Sequence, residues 1–233
     1  MRTNLLLLPF LLVATRLPAQ TAAADPAAAL AEELLAAMGG REAWAGVRYM
    51  HVEAVHDDAS IRDPFSNFIW NDFTAPRMRF EARNAAIDRR HGVTGDTGWR
   101  WRDGQVSALT PEQVAGQRAW WEANVYRTLH RLAVNDPELT VRTPAPRRLE
   151  VFRADGRRLN WFLLNQRGEP MLFATGDSEA ASVFGPLSSN GTIKYPRWGA
   201  RPDGDFRYEI VRIVTAGAVP DEVDFMAPES AIR

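Results

Sequence analysis

Four histidines, His51, His56, His91 and His130, are the side chains of this chain best suited to proton transfer or metal ligation. They are scattered. His51 and His56 stand five apart, so on one regular strand they face opposite sides of a sheet. With Glu53 and Asp57-Asp58 nearby, the group reads as strand or turn surface ahead of a metal centre. No Gly-x-Ser-x-Gly elbow, no phosphate-binding Gly-Lys-Ser/Thr loop and no His-Glu-x-x-His helix occurs in the 233 residues. The expectation is a protein that is not an enzyme and carries no cofactor and no metal. A second chemistry is available to the arginines. Arg77, Arg79 and Arg83, and again Arg100 and Arg102, fall on alternate positions and could offer a basic surface to anionic head groups. Glu81 and Asp103 dilute that charge, and a solvated outer sheet face is the plainer reading. Asn190-Gly191-Thr192 has the form of a glycosylation sequon, but Asn-Gly is a hairpin turn first.

The elements that must position these groups are mostly strands. Phe68 and Trp70, Met78 and Phe80, and Trp99 and Trp101 each put large apolar side chains two residues apart, with an arginine inside the last two pairs and Ile69 inside the first. Such alternation predicts a sheet with one greasy and one wet face. Strand-like segments lie near 48–57, 66–73, 76–83, 85–92 and 97–102, and after a helical interruption near 149–153, 159–164, 171–175, 179–184, 192–195 and 206–214. Their close spacing and turn-forming boundaries argue for antiparallel pairing.

Two helices are expected. Asp25-Pro26 opens an Ala-rich run with Leu30, Leu34 and Met38 on one stripe, closed by Gly39-Gly40. Thr110-Pro111-Glu112-Gln113 has the form of a capping box and opens a stretch predicted to last from 111 to about 134, with Val114, Trp121, Val125, Leu129 and Leu132 on one face. Trp120 and Trp121 lie about 100° apart on a helix and cannot both sit at the centre of that face. One of the pair is expected to meet a groove, a lid contact or a partner. The economical architecture is α+β: one highly curved antiparallel sheet covered by these two helices.

Residues Leu5 to Ala14, after Met1-Arg2-Thr3-Asn4, form an apolar run too short to cross a bilayer and are followed by small residues. That is the pattern of a secretory signal peptide covering 1–24, with cleavage after Ala19 or Ala24. Its removal takes away Arg2 and Arg16 and no acid, moving the net charge from −1 to −3. No basic excess points to nucleic acid. The absence of cysteine excludes disulfides, thiolate metal sites and a lipid-bearing cysteine. The remaining residues, 25–233, suit one β-rich domain, expected to be a soluble monomer with no membrane-spanning segment. Only Lys194 among the 28 basic residues is lysine, which codon usage explains most simply.

The order of leader, short helix closing in Met38-Gly39-Gly40 with Trp44 just beyond, strand meander, inserted helix and second meander resembles the LolA/LolB-type lipoprotein-sorting superfamily. Gly98-Trp99-Arg100, Phe184-Gly185-Pro186-Leu187, Tyr195-Pro196 and Asp224-Phe225 resemble a group of exported relatives of it. The resemblance implies an unclosed half-barrel in the periplasm, its concave face capped by the two helices and open to a lipid or to lipoprotein acyl chains. The sorting carriers fasten their lid helices with an inward-facing strand arginine, a role to which no single arginine is matched here. On that frame the expected ligand-lining set is Phe68, Trp70, Met78, Phe80, Trp99, Trp101, Trp121, Val125, Leu129, Trp161, Leu163, Met171 and Phe173. Singly each reads as core beneath the helices. Together they read as the wall of an adaptable apolar cavity. The alternative is an envelope interaction or sensor module of the same fold, its cavity filled by side chains and a patch near Trp120 or Trp198 turned outward to an envelope protein.

Overall fold

The structure is a computed structural model and describes residues 25–228. The expected leader therefore lies outside the described residues. Among them no helix is long and apolar enough to cross a membrane.

Helix α1 (Pro26–Ala37) begins as the sequence predicts. Asp25 caps it by accepting the Ala27 N–H at 2.9 Å, with Pro26 at the first helical position. A short helix not expected from the sequence, α2 (Arg41–Ala45), follows at once. Between them, Gly39 has a φ of 114°, and a Cβ there would collide with the Thr192 carbonyl. The Met38 carbonyl accepts both the Lys194 N–H at 2.7 Å and the Trp44 indole N–H at 2.8 Å. The Met-Gly-Gly turn is thus a docking point for a distant hairpin as well as a helix stop. Gly39→Ala should destabilise the protein by about 1–3 kcal/mol from backbone strain and the forced shift of residues 192–193. A denaturant midpoint equal to the parent's would contradict this.

The first meander runs β1 (Tyr49–Asp58), β2 (Phe65–Asp72), β3 (Arg77–Arg83), β4 (Asp88–Thr94), β5 (Thr97–Arg102) and β6 (Gln105–Ala108). The predicted inserted helix is two helices, α3 (Pro111–Glu122) and α4 (Val125–Ala133). Thr110 and Gln113 complete the capping box of α3. Asn124 then breaks the run, because its side-chain Oδ1 accepts the N–H groups of Tyr126 and Arg127 and starts a new helix. The remaining strands are β7 (Leu139–Ala145), β8 (Arg148–Arg153), β9 (Arg158–Leu164), β10 (Pro170–Thr175), β11 (Ser182–Phe184), β12 (Leu187–Asn190), β13 (Ile193–Pro196), β14 (Trp198–Ala200) and β15 (Phe206–Ala216). Asn190-Gly191 does serve as the β12–β13 turn, with Gly191 at a φ of 59°.

Thirteen strands form one antiparallel sheet in the order β6-β5-β4-β3-β2-β1-β15-β14-β11-β10-β9-β8-β7, and its two ends do not pair. The fold is therefore α+β on a single open sheet, with β1 and β15 at its middle. One face is dry. Met50, Val52 and Ala54 of β1, Ile210 and Ile213 of β15, Leu149 and Val151 of β8, and Phe162 and Leu164 of β9 belong to one buried cluster with α1, α2 and α4. A cluster joining mid-sheet strands to strands near one end requires the sheet to wrap around those helices. Arg41 of α2 clips the helices together. Its guanidinium donates to the Leu132 and Ala133 carbonyls at the α4 carboxyl end, where positive charge is favoured, and also pairs with Glu32 of α1.

Candidate functional site

The two arms of the sheet treat their inner faces differently. The β7–β10 arm is filled: α1 packs on β7 and β8, and Leu129 of α4 is fully buried in the same core. Over the β1–β4 arm, α3 stands further off, with Val114 and Trp121 forming a small cluster with Met78 and Val93. Between that cluster and the main core a cavity of about 680 Å³ remains, within the range of about 300–1,000 Å³ usual for small-molecule sites.

Its floor follows from strand parity. Residues facing inward on β1 and β2 are Val52, Ala54 and His56 opposite Ile69, Asn67 and Phe65. Asn71 pairs with Met78 and Ile69 with Phe80 on β3. From the other side come Phe206, Tyr208 and Ile210 of β15, and the roof is Gly116, Gln117 and Trp120 of α3 with Val125 and Tyr126 of α4. Positions 116, 117 and 120 share one helical face. The lining contains no arginine or lysine; its one ionised side chain is Asp58, whose carboxyl the Ser60 hydroxyl and N–H hold below its ordinary value.

The polar groups inside are neutral. The Asn67 amide donates to the His56 ring at 2.9 Å, and His91 Nε2 donates to Gln117 Oε1 at 3.2 Å. The carbonyl oxygens of Asn67 and Asn71, both fully buried residues, have no protein partner. Burial raises the Tyr126 and Tyr208 phenols above their ordinary value. Burial also pushes the His56 imidazole down to about 4, opposed by Asp58, and lowers His91 against the pull of Gln117. The result is an apolar chamber with neutral hydrogen-bonding groups in its floor, suited to an apolar molecule with few polar atoms.

The depressed histidines make stability pH-dependent. His51 and His130 are also lowered, again chiefly by burial. The unfolded chain takes up these protons near pH 6.5 while the folded chain resists, so the stabilisation is complete above 6.5 and is lost as pH falls towards 4. His56 alone contributes up to about 3 kcal/mol. Thermal midpoints should fall steadily through that window. A flat profile there would show that the imidazoles are not held neutral.

Only part of the expected lining set meets here. Met78, Phe80 and Val125 line the cavity. Trp121 is buried beside it, its indole donating to the Asp72 carbonyl at 2.7 Å, and its neighbour Trp120, 41% exposed, is the one that meets the cavity. Leu129 and Phe173 pack with the filled arm, Phe173 against Phe162 and Phe184. The expectation that the rings of β2 and β5 share a face with Met78 and Phe80 is corrected. Trp70 pairs with Arg79 and Phe68 with Glu81, so β2 turns its rings outward while β3 turns its apolar residues inward. A one-residue difference in parity moves a whole strand's pattern to the other face.

The outer face supports those rings in a different way. Trp70 stacks on His51 at 4.6 Å with Arg79 over its other neighbourhood at 5.4 Å, Arg83 lies over Phe68, and Arg90 lies 4.4 Å over Trp101. Glu81, buried between Arg79 and Arg83, ion-pairs with both. Trp99 is covered by the chain near the C-terminus, its indole donating to the Phe225 carbonyl at 2.8 Å. Trp161 and Leu163 likewise face outward, in a small cluster with Ala174 and Ala181, under Arg148. Met171, at the β9–β10 register shift, is 42% exposed. Trp101→Ala should therefore leave affinity for an apolar probe within about twofold of the parent. A tenfold loss would return Trp101 to the binding site.

Residues missed from the sequence include small or polar ones, Asn67, Asn71, Ala54, His56 and Gly116, and large apolar ones, Phe65, Ile69, Tyr126, Phe206, Tyr208 and Ile210. Their signal was the alternation itself, Phe65, Asn67, Ile69 and Asn71 being as regular a set as Phe68 and Trp70.

The fold and cavity together define an open-sheet α+β protein with a helix-roofed apolar chamber. No family model and no curated protein matches the chain. Among solved structures it is similar to a LolA superfamily protein from Nitrosomonas europaea, with 11% identity, a TM-score of 0.47, and coverage of 84% of this chain and 97% of that one. It is also similar to a DUF1329 family protein from Desulfovibrio piger (11% identity, TM-score 0.42, 82% and 93% covered). A third is LprF from Mycobacterium bovis (13% identity, TM-score 0.38, 85% and 96% covered).

Proposed function

We propose that this protein is an exported, non-enzymatic carrier or binding protein for a lipophilic ligand, a lipid or the acyl chains of a lipoprotein, working in the periplasm. The observation that carries the reading is the unfilled chamber of about 680 Å³ between the β1–β4 arm and helices α3 and α4. A chain of signal-peptide form at the N-terminus and the sequence resemblance support the location and the ligand class. At about 0.8 kcal/mol per buried methylene, a palmitoyl-length chain represents roughly 12 kcal/mol of gross transfer free energy before ordering costs. Affinity therefore needs no covalent chemistry. The fully packed β7–β10 arm gives the roof a fixed base on one side, while α3 rests on β4 and β5 through few side chains, which makes it the element to move for loading and release.

Native mass spectrometry of gently purified protein, compared with a delipidated sample, tests this directly. A bound mass that delipidation removes, and that an apolar fluorescent probe replaces, is the expected result. A chain that carries nothing and ignores the probe would sink the proposal.

A further inference from the structure

The cavity lining is free of cations, but the same sheet face changes character one strand beyond it. Register carries the inner face from Phe80 to His91 to Arg100, and from Ala82 to Arg89 to Arg102, because side chains opposite each other across a ladder share a face. His91 lines the cavity. Arg100 is its cross-strand partner, and Arg89 is two residues along the same strand, so both stand at the cavity's β4–β5 border with Arg102 beside them.

These three arginines differ from their neighbours. On the outer face of the neighbouring β3, Arg79 and Arg83 pair with Glu81, and on that of β4, Arg90 pairs with Asp88. Arg89, Arg100 and Arg102 are exposed and have no such carboxylate among the described residues. The next strand opposes them with neutral side chains, Ser107 across from Arg100 and Gln105 across from Arg102, and the facing turn of α3 presents Gln117. Three like charges at neighbouring positions, none of them ion-paired among the described residues although Asp103 follows Arg102 in sequence, repel one another, and a bound anion relieves that repulsion.

We propose that this arginine lip holds the anionic head group, phosphate or carboxylate, of an amphiphile whose chain lies in the cavity. The proposal rests on the carrier reading and adds to it a ligand class and an orientation. The guanidinium fork matches phosphate and carboxylate oxygens. A charged head carried inside would meet only neutral groups and the Asp58 carboxylate, and would lose its hydration without compensation. The head therefore stays at the lip and the tail enters the chamber.

The test displaces an uncharged naphthylamine probe with dodecyl phosphate, dodecanol and dodecyltrimethylammonium, each below its micellar concentration, and with inorganic phosphate. Dodecyl phosphate should act at a concentration about tenfold or more below dodecanol in low salt, with the advantage shrinking as salt is raised to about 0.5 M. The dodecyltrimethylammonium cation should be the weakest of the three. The combined variant Arg89→Gln, Arg100→Gln, Arg102→Gln, at exposed positions that leave the core untouched, should lose the phosphate advantage while dodecanol competes as before. Equal competition by the phosphate and the alcohol in the parent protein would overturn the proposal, as would an advantage that survives in the variant. Displacement by inorganic phosphate would overturn it by showing a site for free anion. A parent protein that takes up no probe at all would bring down the carrier reading and this inference together, whereas probe uptake without head-group discrimination removes the inference alone.

Discussion

Gly116→Trp should reduce uptake of an apolar probe about tenfold or more while leaving the thermal midpoint unchanged or raised. Gly116 sits in the interior of α3 and lines the chamber, and a Cβ built there meets nothing within 4 Å. Its neighbours on that helical face, Gln117 and Trp120, also line the chamber. A glycine inside a helix costs about 1 kcal/mol relative to alanine, so nothing local opposes a larger residue. An indole there fills space that the ligand would otherwise occupy, and burying it adds favourable apolar contact in the unliganded state. Probe titration and thermal unfolding on the same preparation separate the outcomes. Undiminished uptake would place the ligand elsewhere; a sharply lowered midpoint would show that the chamber is not open at Gly116.

Trp44→Ala should cost about 3–5 kcal/mol of folding stability, a large share of the roughly 5–15 kcal/mol that a domain possesses. Trp44 is fully buried in the core beneath α1, α2 and α4. Its ring stacks parallel to Tyr126 at 6.0 Å and its indole N–H donates to the Met38 carbonyl at 2.8 Å. The loss therefore combines a cavity, a broken hydrogen bond and a loosened α2–α4 contact, the last because His130 also bonds to the Trp44 carbonyl at 3.1 Å. Urea unfolding gives the measurement. Because Tyr126 reaches from Trp44 into the chamber, the variant's affinity per folded molecule should fall as well, by less than that of Gly116→Trp. A loss of stability under about 1 kcal/mol would mean that Trp44 is not the centre of this core.

Several elements could be read from residues alone. Asp25-Pro26, Thr110-Pro111 and Asn190-Gly191 announced their caps and turns because capping and turn chemistry is local, settled by a side chain and the backbone two or three residues away. Asn124 carried the same kind of signal. The apolar stripe from Val114 to Leu132 predicts one helix over 111–134, and the structure instead starts α4 at the Asn124 cap.

The sequence by itself determined that this chain forms antiparallel strands with helices to cover them, since period-two and period-3.6 patterns are properties of a single segment. It also determined which residues of each strand stand together. Which of the two sets turns inward was decided only by tertiary structure. Parity between neighbouring strands depends on register, and register is set by long-range pairings such as Trp70 with Arg79 and Asn71 with Met78. Aromatic rings could go outward because arginines and the chain around Phe225 cover them. Asparagines could go inward because the chamber was left unfilled, and that void exists only where α3, α4 and the β1–β4 arm fail to meet.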